Sequence, residues 1–160
     1  MGKSRSSTWV AKIVSGGQTG ADRGALDWAI ASGVPHGGWC PAGRRVEDGV
    51  IAKRYGLTET PSRRYEQRTK WNVRDSDGTL IISLRPQLEG GSKTTFELAQ
   101  RAGKPCLHLH AGNASVSAIR AFVERHAIRV LNVAGPRESR EPGIRKFVVG
   151  LLTQAAIHSL

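Results

Sequence analysis

Short apolar runs alternate with helical patterns along the whole chain. Residues 9–15, 79–84, 105–110 and 129–133 are nearly continuous apolar stretches of strand length, with a weaker one at 36–40. Such runs suit parallel strands covered on both faces, since a strand with one wet face alternates apolar and polar positions. Helically spaced apolar positions follow nearly every run, at 23–32, 46–55, 65–75, 93–102, 115–126 and 144–157. Parallel neighbours need a crossover, so the alternation predicts one α/β domain with a mainly parallel sheet and helices on both faces. The domain is expected over residues 9–160, after a disordered basic tail at 1–8. The polar, proline-containing stretch 59–64 reads as a long surface connection rather than a linker between domains.

Composition narrows the class. The 160 residues are 39% hydrophobic, enough for one packed core. Two cysteines, Cys40 and Cys106, in no CxxC arrangement, supply neither a disulfide framework nor a zinc site, so a reducing, cytoplasmic setting is expected. No apolar run approaches the roughly 20 residues of a membrane-spanning helix, and membrane association is not expected. Charge is the outlying quantity: 24 Lys and Arg against 13 Asp and Glu give a net +11. An anionic partner follows from that excess, whether nucleic acid, a phosphorylated small molecule or an oxyanion.

In parallel α/β sheets ligands bind beyond the carboxyl ends of the strands. Three loops there are rich in glycines and donors. Gly16, Gly17, Gln18 and Thr19, with Gly20, lie between a strand and a helix; glycines let backbone amides approach an anion, and the helix N-terminus adds partial positive charge. The spacing is not the dinucleotide G-x-G-x-x-G, and a plain strand-to-helix turn capped by Asp22 is the simpler alternative. Gly91, Ser92, Lys93, Thr94 and Thr95 open another helix. Ser92 stands where the last glycine of a P-loop precedes its lysine, which argues against P-loop ATP hydrolysis. Glu97 is either a general acid or base or a first-turn helix acid. The third loop is Gly135, Pro136, Arg137, Glu138 and Ser139, in which Arg137 offers a bidentate contact to phosphate or carboxylate or pairs with Glu138 or Glu141. Asn132 opens this loop and is either part of it or only a turn cap.

These loops, together with residues 38–49 (GWCPAGRRVEDG) and 72–79 (NVRDSDGT), resemble the molybdenum cofactor carrier family from about residue 13 to the C-terminus. That family shares a Rossmann-like superfamily with the lysine decarboxylase-like phosphoribohydrolases and the DNA-processing protein DprA. The resemblance implies a single Rossmann-like domain, a homo-oligomer in the cytoplasm, that binds and protects the molybdenum cofactor, a phosphate-bearing molybdopterin, and meets cofactor-biosynthesis or molybdoenzyme proteins. It implies a carrier rather than an enzyme, with cofactor binding on the three loops. The phosphoribohydrolases carry Pro-Gly-Gly-x-Gly-Thr-x-x-Glu at the second loop. Gly90, Gly91, Thr94 and Glu97 match it, whereas Glu89 and Lys93 depart from it, so N-glycosidic hydrolysis through Glu97 is the alternative function.

Other signals are weaker. Arg44 and Arg45 either reach the crevice or pair with Glu47 and Asp48. Trp39 is a pterin-stacking candidate or a core residue, and Cys40 a soft ligand or a small buried hydrophobe. His108 and His110 share one face of a strand without a third ligand, so no metal site is expected. Residues 63–74 interleave arginines with Tyr65 and Trp71, a single-stranded nucleic-acid platform or, as the favoured reading, an exposed helix with a solvated basic face.

Overall fold

The computed structural model describes residues 9–157. The tail expected at 1–8 lies outside them. In chain order the elements are β1 (Lys12–Val14), α1 (Ala21–Ser32), β2 (His36–Gly37), β3 (Trp39–Cys40), β4 (Arg45–Val46), β5 (Gly49–Val50), β6 (Thr58–Glu59), α2 (Tyr65–Arg74), β7 (Gly78–Ser83), α3 (Gly90–Arg101), β8 (Cys106–His110), α4 (Val116–Arg125), β9 (Val130–Ala134) and α5 (Ile144–Ile157). A 3₁₀ turn spans Ala42–Arg44.

Five of the strands form a wholly parallel sheet in the order β2-β1-β9-β7-β8. Counted from β9 through α5 to β1, that order reads 3-2-1-4-5, the strand order of a doubly wound nucleotide-binding sheet, with the last strand-helix unit of this chain standing in the first place. The order reverses between β9 and β7, so the crevice of such a sheet opens beyond Ala134 and Ser83.

Successive residues of a strand face opposite sides. Leu80 and Ile82 therefore pack with Leu131, Val133 and Ile13 into a core shared with α1, α4 and α5. Each fully buried Leu or Ile contributes about 1.5–3 kcal/mol of transfer free energy. Helix α1 approaches α5 closely because Ala21, Ala25 and Ala29 line its inner face; a Cβ on Gly24 would stand 2.7 Å from the Arg145 carbonyl. Helices α2 and α3 pack against each other over the other face, where Asn132 donates to Thr79 Oγ1 at 3.1 Å. Asn132 is thus a buried strand residue that reaches the crevice end of β9, and the alternative of a turn cap does not hold.

Four expectations need correction. The strand expected at 9–15 is ordered as strand only over Lys12–Val14. The helix expected at 46–55 is a hairpin, β4 paired antiparallel to β5, followed by irregular chain. Its apolar positions Val46, Ile51 and Tyr55 mimic helical spacing, yet they pack with Leu26, Cys40 and Leu57 as a second small core, and Gly49 has φ +118°. Helix α3 starts at Gly90 rather than Lys93, so Glu97 falls beyond its first turn and does not complement the dipole there. Finally, the stretch 63–74 is only in part the solvated basic face expected: Arg63, Arg64, Lys70 and Arg74 are exposed, whereas Arg68, Asn72 and Val73 form a buried face of α2.

Candidate functional site

One cavity of about 320 Å³ opens at the reversal point. It is walled by all three glycine-containing loops, through Gly16 and Gln18 of the first, Gly91, Ser92, Thr94 and Thr95 of the second, and Gly135, Pro136 and Arg137 of the third. Helix α2 closes one side with Tyr65, Arg68, Thr69 and Asn72, and Arg140 another. Such a volume lies at the lower end of the roughly 300–1,000 Å³ found for small-molecule sites.

Of the other residues expected at the site, Gly17, Thr19, Glu138 and Ser139 buttress it. The Gly17 carbonyl accepts from Arg23 Nη2 at 3.1 Å. Thr19 donates its hydroxyl to Glu47 and accepts the Glu138 amide at 3.1 Å. Ser139 donates both its hydroxyl (2.6 Å) and its amide (3.2 Å) to Glu47, and the Glu47 amide donates to Gln18 Oε1 at 3.0 Å. Glu47 therefore latches the first loop to the third. Its partial burial opposes ionisation, yet the hydrogen bonds from Ser139 and Thr19 and the Arg137 charge hold its carboxyl below the usual value. Glu138 instead accepts the Gly143 and Arg145 amides at 2.6 and 3.1 Å, fixing the start of α5. Lys93 is exposed and Glu97 half-buried, and neither is on the cavity wall.

Two glycines are required by close approach. A Cβ on Gly135 would lie 2.2 Å from the Ile82 carbonyl oxygen, so the third loop crosses the end of β7 in contact. A Cβ on Gly16 would lie 2.0 Å from Arg68 Nη1, the cation that α2 extends over the first loop. Arg68 meets Asp22 Oδ2 at 3.3 Å, with side chains 10% and 8% exposed respectively. Asp22 also accepts the Gln18 amide at 3.2 Å, so it braces the loop from inside the helix rather than capping it. Burial pushes the Asp22 carboxyl above its ordinary value, with Arg68 the main opposing influence.

Sequence reading missed Asp22, Arg68 and Asn72 as parts of the site. Their shared location depends on α2 folding across the loop after β1, a contact 46 residues apart in sequence that no local pattern encodes.

Weaker candidates are placed elsewhere. Trp39 packs edge-on to Trp71 at 4.8 Å and donates Nε1 to Asp75 at 2.8 Å, away from the cavity wall. Cys40 is buried in the second core. Arg44 donates to the carbonyls of Ile51, Ala52, Tyr55 and Leu57, so it neither reaches the crevice nor pairs with its neighbouring acids. Asp48 pairs with Arg23 at 3.1 Å. Arg137 pairs with Glu47 at 3.9 Å, not with Glu138 or Glu141. His108 and His110 stand 5.9 Å apart between ring centres. Among the described residues no cluster of three or more His, Cys, Asp or Glu could hold a metal ion.

The sequence profile of the circularly permutated YpsA SLOG family matches residues 13–156. The chain belongs to that family. Permutation accounts for the sheet order, in which the first strand place is taken by the last strand of the chain. Among solved structures, the SLOG chain is similar to the crystal structure of a "Putative molybdenum carrier protein" from Syntrophus aciditrophicus SB, with 46% identity over 91% of this chain and 94% of that one, and a TM-score of 0.89. No curated protein sequence matches. The molybdenum-carrier resemblance read from the loops is thus supported, and so is the Rossmann-like α/β fold.

Proposed function

We propose that the chain is a carrier that binds and shields the molybdenum cofactor, with the phosphate of the molybdopterin held in the cavity at the ends of β7 and β9. The observation that carries this reading is the convergence of three donor-rich loops on one cavity. Two of its lining residues hold buried polar atoms with no protein partner among the described residues, Gln18 Nε2 and Ser92 Oγ. Leaving such atoms unpaired costs about 1–3 kcal/mol each, which a polar ligand relieves. Arg137 and Arg140, with the amides at the start of α3, supply charge-assisted donors suited to phosphate. The name given to the similar crystal structure agrees with this cargo.

Carriage is favoured over N-glycosidic hydrolysis because Glu97 is off the cavity wall. A single-stranded nucleic-acid platform is disfavoured because Trp71 packs on Trp39 and Arg68 is buried. On this reading the protein works in the cytoplasm as a homo-oligomer, exchanging cofactor with biosynthetic or molybdoenzyme proteins. The test is anaerobic incubation with molybdopterin cofactor, followed by gel filtration, pterin fluorescence of the protein peak, and timing of oxidative loss. Co-elution and slowed oxidation are expected. Failure of both sinks the proposal.

A further inference from the structure

A second, smaller cavity of about 90 Å³ adjoins the first. The two share Glu89, Ser92, Pro136 and Arg140, so the start of α3 forms the wall between them. The smaller one has room for about three waters, the scale of one tetrahedral oxyanion. Arg85 lines it, and Arg140 lines both. Neither arginine makes an ion pair among the described residues, unlike Arg68, which is matched by Asp22.

We infer that the site takes two consecutive phosphate groups, one in each cavity across Ser92, so that its ligands include pyrophosphate-linked molecules and not only phosphate monoesters. Ser92 is 6% exposed and its unpartnered hydroxyl belongs to a residue that faces both cavities. It stands at the N-terminus of a 12-residue helix that has no side-chain cap, which leaves the positive end of the dipole available to an anion. The Arg140 guanidinium already lies over this terminus, 3.6 Å from where a Cβ on Gly90 would stand. One phosphate in the main cavity meets Ser92, Arg137 and Arg140; the next meets Arg140 and Arg85.

Two carboxylates line the smaller cavity. Glu141 is committed, since its Oε1 accepts the Leu84 and Arg85 amides at 2.6 and 3.3 Å and pins the loop that carries Arg85. Glu89 is exposed, as are Arg85 and Arg140, so solvent screens all three alike and the two cations outnumber the one uncommitted carboxylate. Ser83 beneath it hydrogen-bonds His108 Nε2 and the Arg85 carbonyl, both at 2.7 Å, and burial together with the neighbouring His110 charge depresses the His108 pKa, so the floor is polar and neutral.

The inference rests on the cavity being the anion-binding site proposed above, and it fails separately from it. Calorimetric titration with inorganic phosphate and with pyrophosphate, at matched ionic strength, compares the unsubstituted protein with Arg85→Gln, Ser92→Ala and Arg101→Gln, the last an exposed arginine on neither wall. Pyrophosphate is expected to bind at least tenfold tighter than phosphate. Arg85→Gln should cut that preference below threefold by weakening pyrophosphate more than phosphate; Ser92→Ala should weaken both anions, and Arg101→Gln neither. Equal affinity for the two anions, or an Arg85→Gln effect no larger than that of Arg101→Gln, overturns the inference and leaves cofactor carriage standing. Matching melting temperatures of the unliganded proteins show that folding is not the cause.

Discussion

Replacing Arg68 with Met keeps an unbranched stem in the space beside Gly16 but strands Asp22 without its cation. The pair is almost dry, with side chains 10% and 8% exposed, and the contact is 3.3 Å. Breaking a buried ion pair from one side costs about 3–5 kcal/mol, because the remaining charge is left uncompensated. Asp22 keeps the Gln18 amide at 3.2 Å, so the lower end applies, about 3 kcal/mol. In a domain of this size that is a fall in Tm of about 6–12 °C. The loss depends on pH in a fixed direction. Burial already raises the Asp22 pKa above 3.8, and removal of Arg68 raises it further. A carboxyl that binds its proton more tightly when folded favours the fold once protonated. The gap between variant and parent should therefore be widest at neutral pH and shrink on acidification, as Asp22 protonates in the variant. Asp48, Asp75 and Asp77, held low by hydrogen bonds, weaken both proteins in acid and cancel in the difference. Urea unfolding at pH 7 and pH 4.5 measures it. A difference below about 1 kcal/mol at pH 7, or one unchanged at pH 4.5, refutes the argument.

Gly135→Ala should destabilise by about 3 kcal/mol or more, since its Cβ meets backbone oxygen at 2.2 Å; a thermal melt within 2 °C of the parent, roughly 1 kcal/mol or less, contradicts this. Gly16→Ala drives a methyl group into Arg68, so its cost in urea unfolding should shrink in the Arg68→Met background, whereas simple additivity would show that the two do not touch. Glu47→Gln loosens the first loop from the third; because the Glu47 pKa is lowered on folding, its contribution is present above its ordinary value of 4.5 and lost as pH falls, and parent and variant should converge in acid. Asp75 should titrate at about 2 by NMR and move upward in Arg74→Ala, whose hydrogen bond is the main cause of the low value.

The strands of the parallel sheet were legible because burial on both faces leaves a run of aliphatic residues, as in Leu80, Ile81 and Ile82. The three loops were legible because donors next to glycines at strand ends are locally encoded. Residues 46–55 misled because Val46, Ile51 and Tyr55 reproduce a helical spacing while serving a core formed by a hairpin; Asp48-Gly49 was the turn signal available against it. Within the loops, sequence alone did not separate wall from buttress. Thr19 and Ser139 have the same chemistry as Ser92, and only the arrival of Glu47 occupies the first two hydroxyls and leaves the third unpartnered.

The position of β9 has a consequence for biosynthesis. It is the last strand of the sheet to leave the ribosome and the middle one in space, flanked by β1 and β7. Until residue 134 emerges, the two halves of the sheet have no common strand, and the cavity lacks its third loop. At about 5–20 residues per second of synthesis, the nascent chain spends seconds in that divided state. The cavity is therefore the last part of the sheet edge to be completed, and a chain truncated before β9 lacks both the strand that joins the two halves of the sheet and the third loop of the wall.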